Sequence, residues 1–316
     1  MASIVASLHT KTDAPAKEHG FSINQGVNWS NYLTYRPIYP ASFFQRIYDY
    51  HSQKLEAAWS VGHDVGAGSG LVSSILATRF DNVVISDPND GYATLARKLL
   101  VEEALIPEAK LRFLQEPAET SSVQSSTVDL ITVCECIQWT QTDLAIKEFA
   151  RELKPGGTLV ITFYSSPLIE GNERAKQAWK AVWNAYSERA QCELFTNAFK
   201  VCNTGLDLLA FPEDEWRNVK RVYINAQTGY EAFAVNDQTG DSRVRAEEEQ
   251  VWVEKDDEDW CDTHGFAWFQ AYLATWVPRI PESDMQEVWD ELELALDGKQ
   301  VRTKTPLAMV FATKKE

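Results

Sequence analysis

No stretch of the 316-residue chain holds the run of about twenty apolar residues that a helix needs to cross a bilayer, and its first residues lack a basic region followed by an apolar one. A soluble, cytoplasmic protein with no membrane partner is expected. Cysteine is scarce: the five present are odd in number and follow neither metal-ligand nor secreted-framework spacing, so reduced thiols are expected. The five histidines, His9, His19, His51, His63 and His264, form no ligand pair, and no metal site is expected. Positive charge is also short. A formal net charge of −16 argues against a nucleic-acid partner, whose phosphates call for clustered Lys and Arg. The acidity gathers between Glu247 and Asp262, where Glu247-Glu248-Glu249 and Asp256-Asp257-Glu258-Asp259 read as a solvated face.

What the chain does have is the segment His63-Asp64-Val65-Gly66-Ala67-Gly68-Ser69-Gly70, with Asp87 closing the apolar run Val83-Val84-Ile85 roughly twenty residues on. Alternating glycines let the backbone turn sharply and approach a ligand where a Cβ would collide. The terminal acid stands where a doubly wound sheet presents a carboxylate to ribose hydroxyls. A dinucleotide fingerprint would place its third glycine three residues after the second. Position 71 is Leu, and the third glycine is Gly70. Asp64, just before the turn, stands where it can meet a cationic ligand. An S-adenosylmethionine site needs such polar partners for its aminoacyl end and has no pyrophosphate to cradle.

Further along, Val128-Asp129-Leu130-Ile131-Thr132-Val133 reads as a buried strand and Asp143 to Leu153 as an amphipathic helix. Lys154-Pro155-Gly156-Gly157 breaks that helix, and Thr158-Leu159-Val160-Ile161-Thr162-Phe163 forms the next strand. This order resembles the class I S-adenosylmethionine-dependent methyltransferases. The resemblance implies an α/β fold, a Rossmann-like sheet with helices on both faces, with an N-terminal helical cap and C-terminal substrate-binding insertions. Domain organisation is expected as a flexible N-terminus over 1–20, a cap over 21–54, the cofactor-binding sheet core over 55–164, insertions forming the substrate region over 165–304, and a terminal strand over 305–316. Helices are expected around Asn172–Gln191 and Asp284–Leu296, and strands around Val219–Asn225 and Gln250–Glu254.

Tyr35-Arg36-Pro37-Ile38-Tyr39-Pro40, Ile137-Gln138-Trp139 and Tyr272-Leu273-Ala274-Thr275-Trp276 look like the trans-aconitate methyltransferase-like branch of that class, with Gln138 where the family usually has His. Carried over residue by residue, the resemblance implies that Asp64, Gly66, Ala67, Gly68 and Gly70 meet S-adenosyl-L-methionine, that Asp87 holds its ribose diol, and that Pro88 and Ala118 meet its adenine. Pro117 stands where many relatives carry an acid for the adenine amino group. Glu135, after the fourth strand, is expected at the site mouth, on both the cofactor and the catalytic side, with Tyr35 and Trp139 beside the acceptor. Glu135 and His264 are the candidate bases.

Trp29, Tyr32, Tyr35, Trp139, Phe269, Tyr272 and Trp276 suit a flat, mostly apolar acceptor, whereas a tricarboxylate would need several cations and the site segments offer Arg36. The partner is therefore expected to be a small-molecule methyl acceptor. Some fungal members of the resembling group methylate thiols of epidithiodiketopiperazines such as gliotoxin, so S-methylation of a dithiol in secondary metabolism is the expectation. Its alternatives are carboxyl methylation of trans-aconitate and a cofactor-binding protein without catalysis. The oligomeric state is left open. Trp179, Trp183 and Trp289 sit at helical spacing and are expected in a core, as are Cys134 and Cys136 at a strand end.

Overall fold

Strand β1 (Val61–Val65) carries the chain to the glycine turn, and α3 (Leu71–Leu76) leaves it. They follow two N-terminal helices, α1 (Trp29–Tyr35) and α2 (Ala41–Ser52). The structure is a computed structural model that describes residues 28–55, 57–89, 91–190 and 193–316. The expected flexible stretch over 1–20 and the start of the expected cap lie outside the described residues. Next come β2 (Asn82–Ser86), α4 (Tyr92–Arg97), β3 (Leu111–Leu114), β4 (Val128–Cys134), α5 (Thr142–Glu152) and β5 (Leu153–Tyr164).

These strands make the parallel half of an eight-stranded sheet. Its order is β3-β2-β1-β4-β5, continued by β11 (Leu307–Lys314), β7 (Trp216–Ile224) and β8 (Glu249–Trp252). Strand β11 runs antiparallel between β5 and β7. The stretch over 165–304 was expected to form insertions, yet two of its strands, β7 and β8, extend this same sheet. The rest of the stretch holds β6 (Leu168–Ile169), α6 (Glu173–Arg189), α7 (Glu193–Asn203), β9 (Cys261–His264), α8 (Phe266–Leu273), α9 (Gln286–Leu296) and β10 (Val301–Lys304). Strands β6, β10 and β9 form a small second sheet.

The helix break behaves as its residues dictate. Pro155 cannot continue α5, and Gly156 takes a left-handed φ of +78°. The pairing of β4 with β5 accordingly jumps from Val128 opposite Leu153 to Leu130 opposite Thr158, so that Lys154–Gly157 bulges out before the ladder resumes.

One core fills each side of the main sheet, and a third lies among α6, α8 and α9. In the third, Trp179, Trp183 and Trp289 are buried, Trp179 packing on Phe269 with ring centroids 4.9 Å apart. Strand alternation decides what the first strand presents. Asp64 turns to the ligand side, whereas His63 takes the other face, where Nδ1 lies 2.6 Å from Glu152 and Nε2 2.8 Å from Ser86 Oγ. Strand order reverses between β1 and β4, and beyond their carboxyl ends a sheet of this topology opens its crevice.

Candidate active site

At that reversal lies a cleft of about 1120 Å³ including its mouth, with two unlike walls. The first wall is backbone. Gly66 and Gly68 hold φ of +65° and +53°, a region that favours glycine. A Cβ on Gly66 would come within 2.4 Å of Cys136, so the turn and the segment after β4 are packed at backbone distance. At Gly68 an added Cβ would meet the rim of Trp29 at 3.5 Å. Asp87, just past β2, accepts the Gly68 N–H at 3.1 Å on one oxygen and the Asn89 N–H at 3.0 Å on the other. Each carboxylate oxygen has a second lone pair, so hydroxyls of a ligand can still be accepted there.

Under the turn, the buried carboxyl of Asp64 accepts from Ser73 Oγ at 2.6 Å and Thr132 Oγ1 at 3.0 Å. Burial pushes its pKa up to about 6 against those bonds. Asp64 therefore ties β1, α3 and β4 together beneath the ligand side.

The second wall is made of side chains from distant segments. Trp29 and Tyr32, three apart on one face of α1, and Arg36, the residue that ends the helix, all line the cleft. Tyr35 falls off that face and does not line it. The buried Arg36 donates through Nε to Thr275 Oγ1 at 2.7 Å and sits 4.2 Å from the Trp276 ring centroid, pinning α1 to the segment after α8. Trp29 meets Tyr92 edge-on at 4.9 Å, closing α1 over the glycine turn. Trp139, on a 3-10 turn after β4, stands edge-on to Phe195 of α7 at 5.5 Å.

Between the walls is Glu135. It has a left-handed φ of +58°, a conformation that costs a non-glycine residue about 1–2 kcal/mol. The Glu135 N–H still donates to Thr162 O, and its Oε1 accepts the Tyr164 N–H at 2.5 Å. Burial pushes this carboxyl up to about 8, opposed by the Tyr164 N–H and the Arg36 charge. Gln138 donates through Nε2 to the Glu135 carbonyl at 3.1 Å. Burial holds the thiols of Cys134 and Cys136 well above their ordinary range, so neither is an activated nucleophile.

Of the residues expected to meet the cofactor, Asp64, Gly66, Ala67, Gly68, Asp87, Pro88, Ala118 and Glu135 line the cleft, as do Pro117 and Trp139. Gly70 does not. It caps α3 at φ +84°, and an added Cβ would meet Leu100 at 2.8 Å, so it serves packing below the turn. Tyr35, Phe269 and Tyr272 also lie outside the lining. Phe269 and Tyr272 are fully buried against Trp179. His264 stacks flat on Trp268 at 3.5 Å, away from the cleft. Tyr39, of the expected Tyr35–Pro40 segment, lines the cleft, whereas Asn89 and Tyr92 were not expected there; both follow Asp87 closely and could have been found by proximity.

The lining suits an adenosyl sulfonium. The carboxylate after β2 stands at the cleft with the donor-accepting chemistry a diol needs, the turn leaves room where side chains would intrude, and Pro88, Ala118 and Tyr92 offer apolar flanks.

A family profile described as Methyltransferase domain matches residues 63–161. Methyltransferase cfoB of Aspergillus candidus is 30% identical over 90% of this chain and 94% of its own length. Methyltransferase ptaI of Pestalotiopsis fici is 28% identical over 93% and 95%. Among solved structures, a candidate type II methyltransferase from Anaeromyxobacter dehalogenans superposes with a TM-score of 0.57 at 18% identity, covering 87% of this chain and 97% of that one, a likeness of fold. No described helix is long and apolar enough to cross a membrane.

Proposed function

The chain belongs to the class I S-adenosylmethionine-dependent methyltransferases, and from that premise we propose that it methylates a neutral, flat, mostly apolar small molecule on a weakly acidic S–H or O–H group. The enzyme's cofactor, S-adenosylmethionine, supplies an electrophilic methyl group on a sulfonium. Its acceptor must be held in line about 3–3.5 Å from that methyl. Holding the acceptor is what the side-chain wall is built to do.

The observation that carries this reading is the charge of the lining. Among the described residues around the cleft, Arg36 is the sole cation, set against the carboxyls of Asp64, Asp87, Glu116, Glu119 and Glu135. That balance suits a cationic cofactor and opposes a tricarboxylate, whose buried charges would need several forked cations. Arg36 is itself bonded to Thr275 and covered by Trp276. Trp29, Tyr32, Trp139 and Trp276 instead offer ring faces and edges to an apolar acceptor.

A thiol satisfies these demands with little help, because a few per cent is ionised at neutral pH and the thiolate is strongly nucleophilic. Reduced epidithiodiketopiperazines are the preferred acceptor on that ground, methylated once on each sulfur with one cofactor consumed per methyl. A phenol is the second reading, and Glu135 favours it, since the ionised form of a carboxyl pushed up to about 8 is a stronger base than an ordinary carboxylate. An equimolar mixture of a dithiol, a phenol and trans-aconitate, analysed by mass spectrometry, tests the proposal. Thioether or aryl ether products are expected. Methyl ester as the sole product would overturn it.

A further inference from the structure

We infer that Glu135 is the proton acceptor of the reaction, a catalytic base held at the junction of the cofactor and acceptor walls rather than a cofactor ligand. The inference rests on the proposed weakly acidic acceptor, since an ionised carboxylate would have no proton to give.

The geometry singles this residue out. Glu135 leaves the end of β4 in the left-handed region, so its side chain folds back toward β5 while still lining the cleft. One oxygen is tied to the Tyr164 N–H. Among the described residues no hydrogen bond ties the other, Oε2. Gln138 grips the backbone carbonyl of the same residue and so fixes the turn that carries it. A carboxyl clamped from two sides beside a ligand cleft is positioned for proton transfer.

The groups that face it leave it as the one titrating near neutrality. Around it stand Tyr32 and Arg36 of α1, Tyr39 beyond them, Cys134 of β4, Tyr164 of β5 and Tyr272 of α8. Cys136 and, from α7, Cys202 also feel its charge. Burial pushes those tyrosines and cysteines upward, so they stay protonated while Glu135 titrates near 8 and Arg36 stays charged.

The acceptor's X–H bond breaks and its proton bonds Oε2 of Glu135, while the electron pair left on X forms the X–CH3 bond as the S–CH3 bond breaks and leaves its pair on sulfur. The positive charge lost from the sulfonium cancels the negative charge lost from the carboxylate. Neutral products remain, and Glu135 later releases its proton to solvent.

The test uses Glu135→Gln, which keeps an oxygen to accept the Tyr164 N–H, with Glu135→Asp as a second variant. For a series of phenols or thiols of decreasing acidity, Glu135→Gln is expected to lower kcat/KM by about 10²–10⁴-fold at the weakly acidic end and far less for acceptors already ionised. The rise of wild-type activity through about pH 8 should vanish in Glu135→Gln and persist, at a reduced rate, in Glu135→Asp. Two readouts need no turnover. S-adenosylmethionine affinity by calorimetry should change less than about twofold, well under the loss from one charge-assisted bond, and an infrared difference spectrum of wild type against Glu135→Gln should show a carboxylic-acid band that fades as pH passes about 8. A loss equal for all acceptors whatever their acidity, or a loss of cofactor affinity in its place, would overturn the role of Glu135 while leaving the acceptor reading intact. Wild-type methylation of carboxylates alone would overturn the acceptor reading and this inference with it.

Discussion

The two walls of the cleft are built by opposite means. The backbone wall, which we assign to the cofactor, comes from two short pieces of chain, Asp64–Ser69 and Asp87–Asn89, and is shaped by backbone amides, positive φ and the Asp87 carboxylate. The other wall, which we assign to the acceptor, draws single side chains from α1 and its end, from the turn after β4 and from the segment after α8. A wall of backbone is specified locally, and at Gly66 it tolerates no side chain, since an added Cβ would lie 2.4 Å from Cys136. A wall of side chains can exchange its rings without disturbing the sheet, so one scaffold can serve many acceptors.

Substitutions can break or sharpen this contrast. The largest effect is expected from Asp87→Ala. It removes the carboxylate we assign to two ribose hydroxyls, at about 1.5–3 kcal/mol for each charge-assisted bond, roughly 10²–10⁴-fold in S-adenosylmethionine affinity. It also frees the Gly68 and Asn89 amides. Calorimetry measures it, and unchanged affinity in a folded variant would remove Asp87 from the site.

Asp64→Asn is expected to act on stability at the floor of the same wall. The native carboxyl is raised from 3.8 to about 6, so the neutral form is favoured in the fold. Its contribution is fully present below pH 3.8 and is lost as pH rises through about 6. The variant should lack that decline, which amounts to about 3 kcal/mol at most. Unfolding by denaturant at several pH values would show it, and parallel pH profiles for the two proteins would contradict the assignment.

On the acceptor wall, Trp139→Ala should lower kcat/KM for the acceptor by about 10–100-fold with cofactor affinity unchanged, as the role assigned to the ring, orienting the acceptor alone, requires. Equal losses for both ligands would erase the distinction between the walls. The smallest effect is expected from Tyr35→Phe. Tyr35 lies off the α1 face that lines the cleft, so both affinities should stay within about twofold, in the range of ordinary surface changes. A tenfold loss there would mean that α1 presents a different face in the working enzyme.

The backbone wall was legible in the sequence, and so was much of the fold. Glycine spacing, the acid after Val83-Val84-Ile85 and the break at Lys154–Gly157 are local instructions, readable because φ and chain direction depend on neighbouring residues. Gly70 shows the limit even there. It belongs to the same pattern as Gly66 and Gly68, yet it faces Leu100, a partner thirty residues away.

The acceptor wall was read only in part. Tyr35, Phe269 and Tyr272 share composition and proximity with Tyr32 and Trp276, but whether a ring meets the cleft or the α6–α8–α9 core depends on how helices pack across it. Helix α7, which supports Trp139 through Phe195, did not figure in the sequence reading at all.

By itself, the sequence determined the class of fold, the glycine turn and the acid that follows β2, because these follow from short-range backbone geometry and the order of segments. Tertiary structure alone decided that β7 and β8 extend the main sheet, that Trp29, Tyr32 and Arg36 rather than Tyr35 face the cleft, and that Glu135 titrates near neutrality. Burial and electric field at one atom are sums over residues that the chain brings together from far apart, and no local pattern contains that sum.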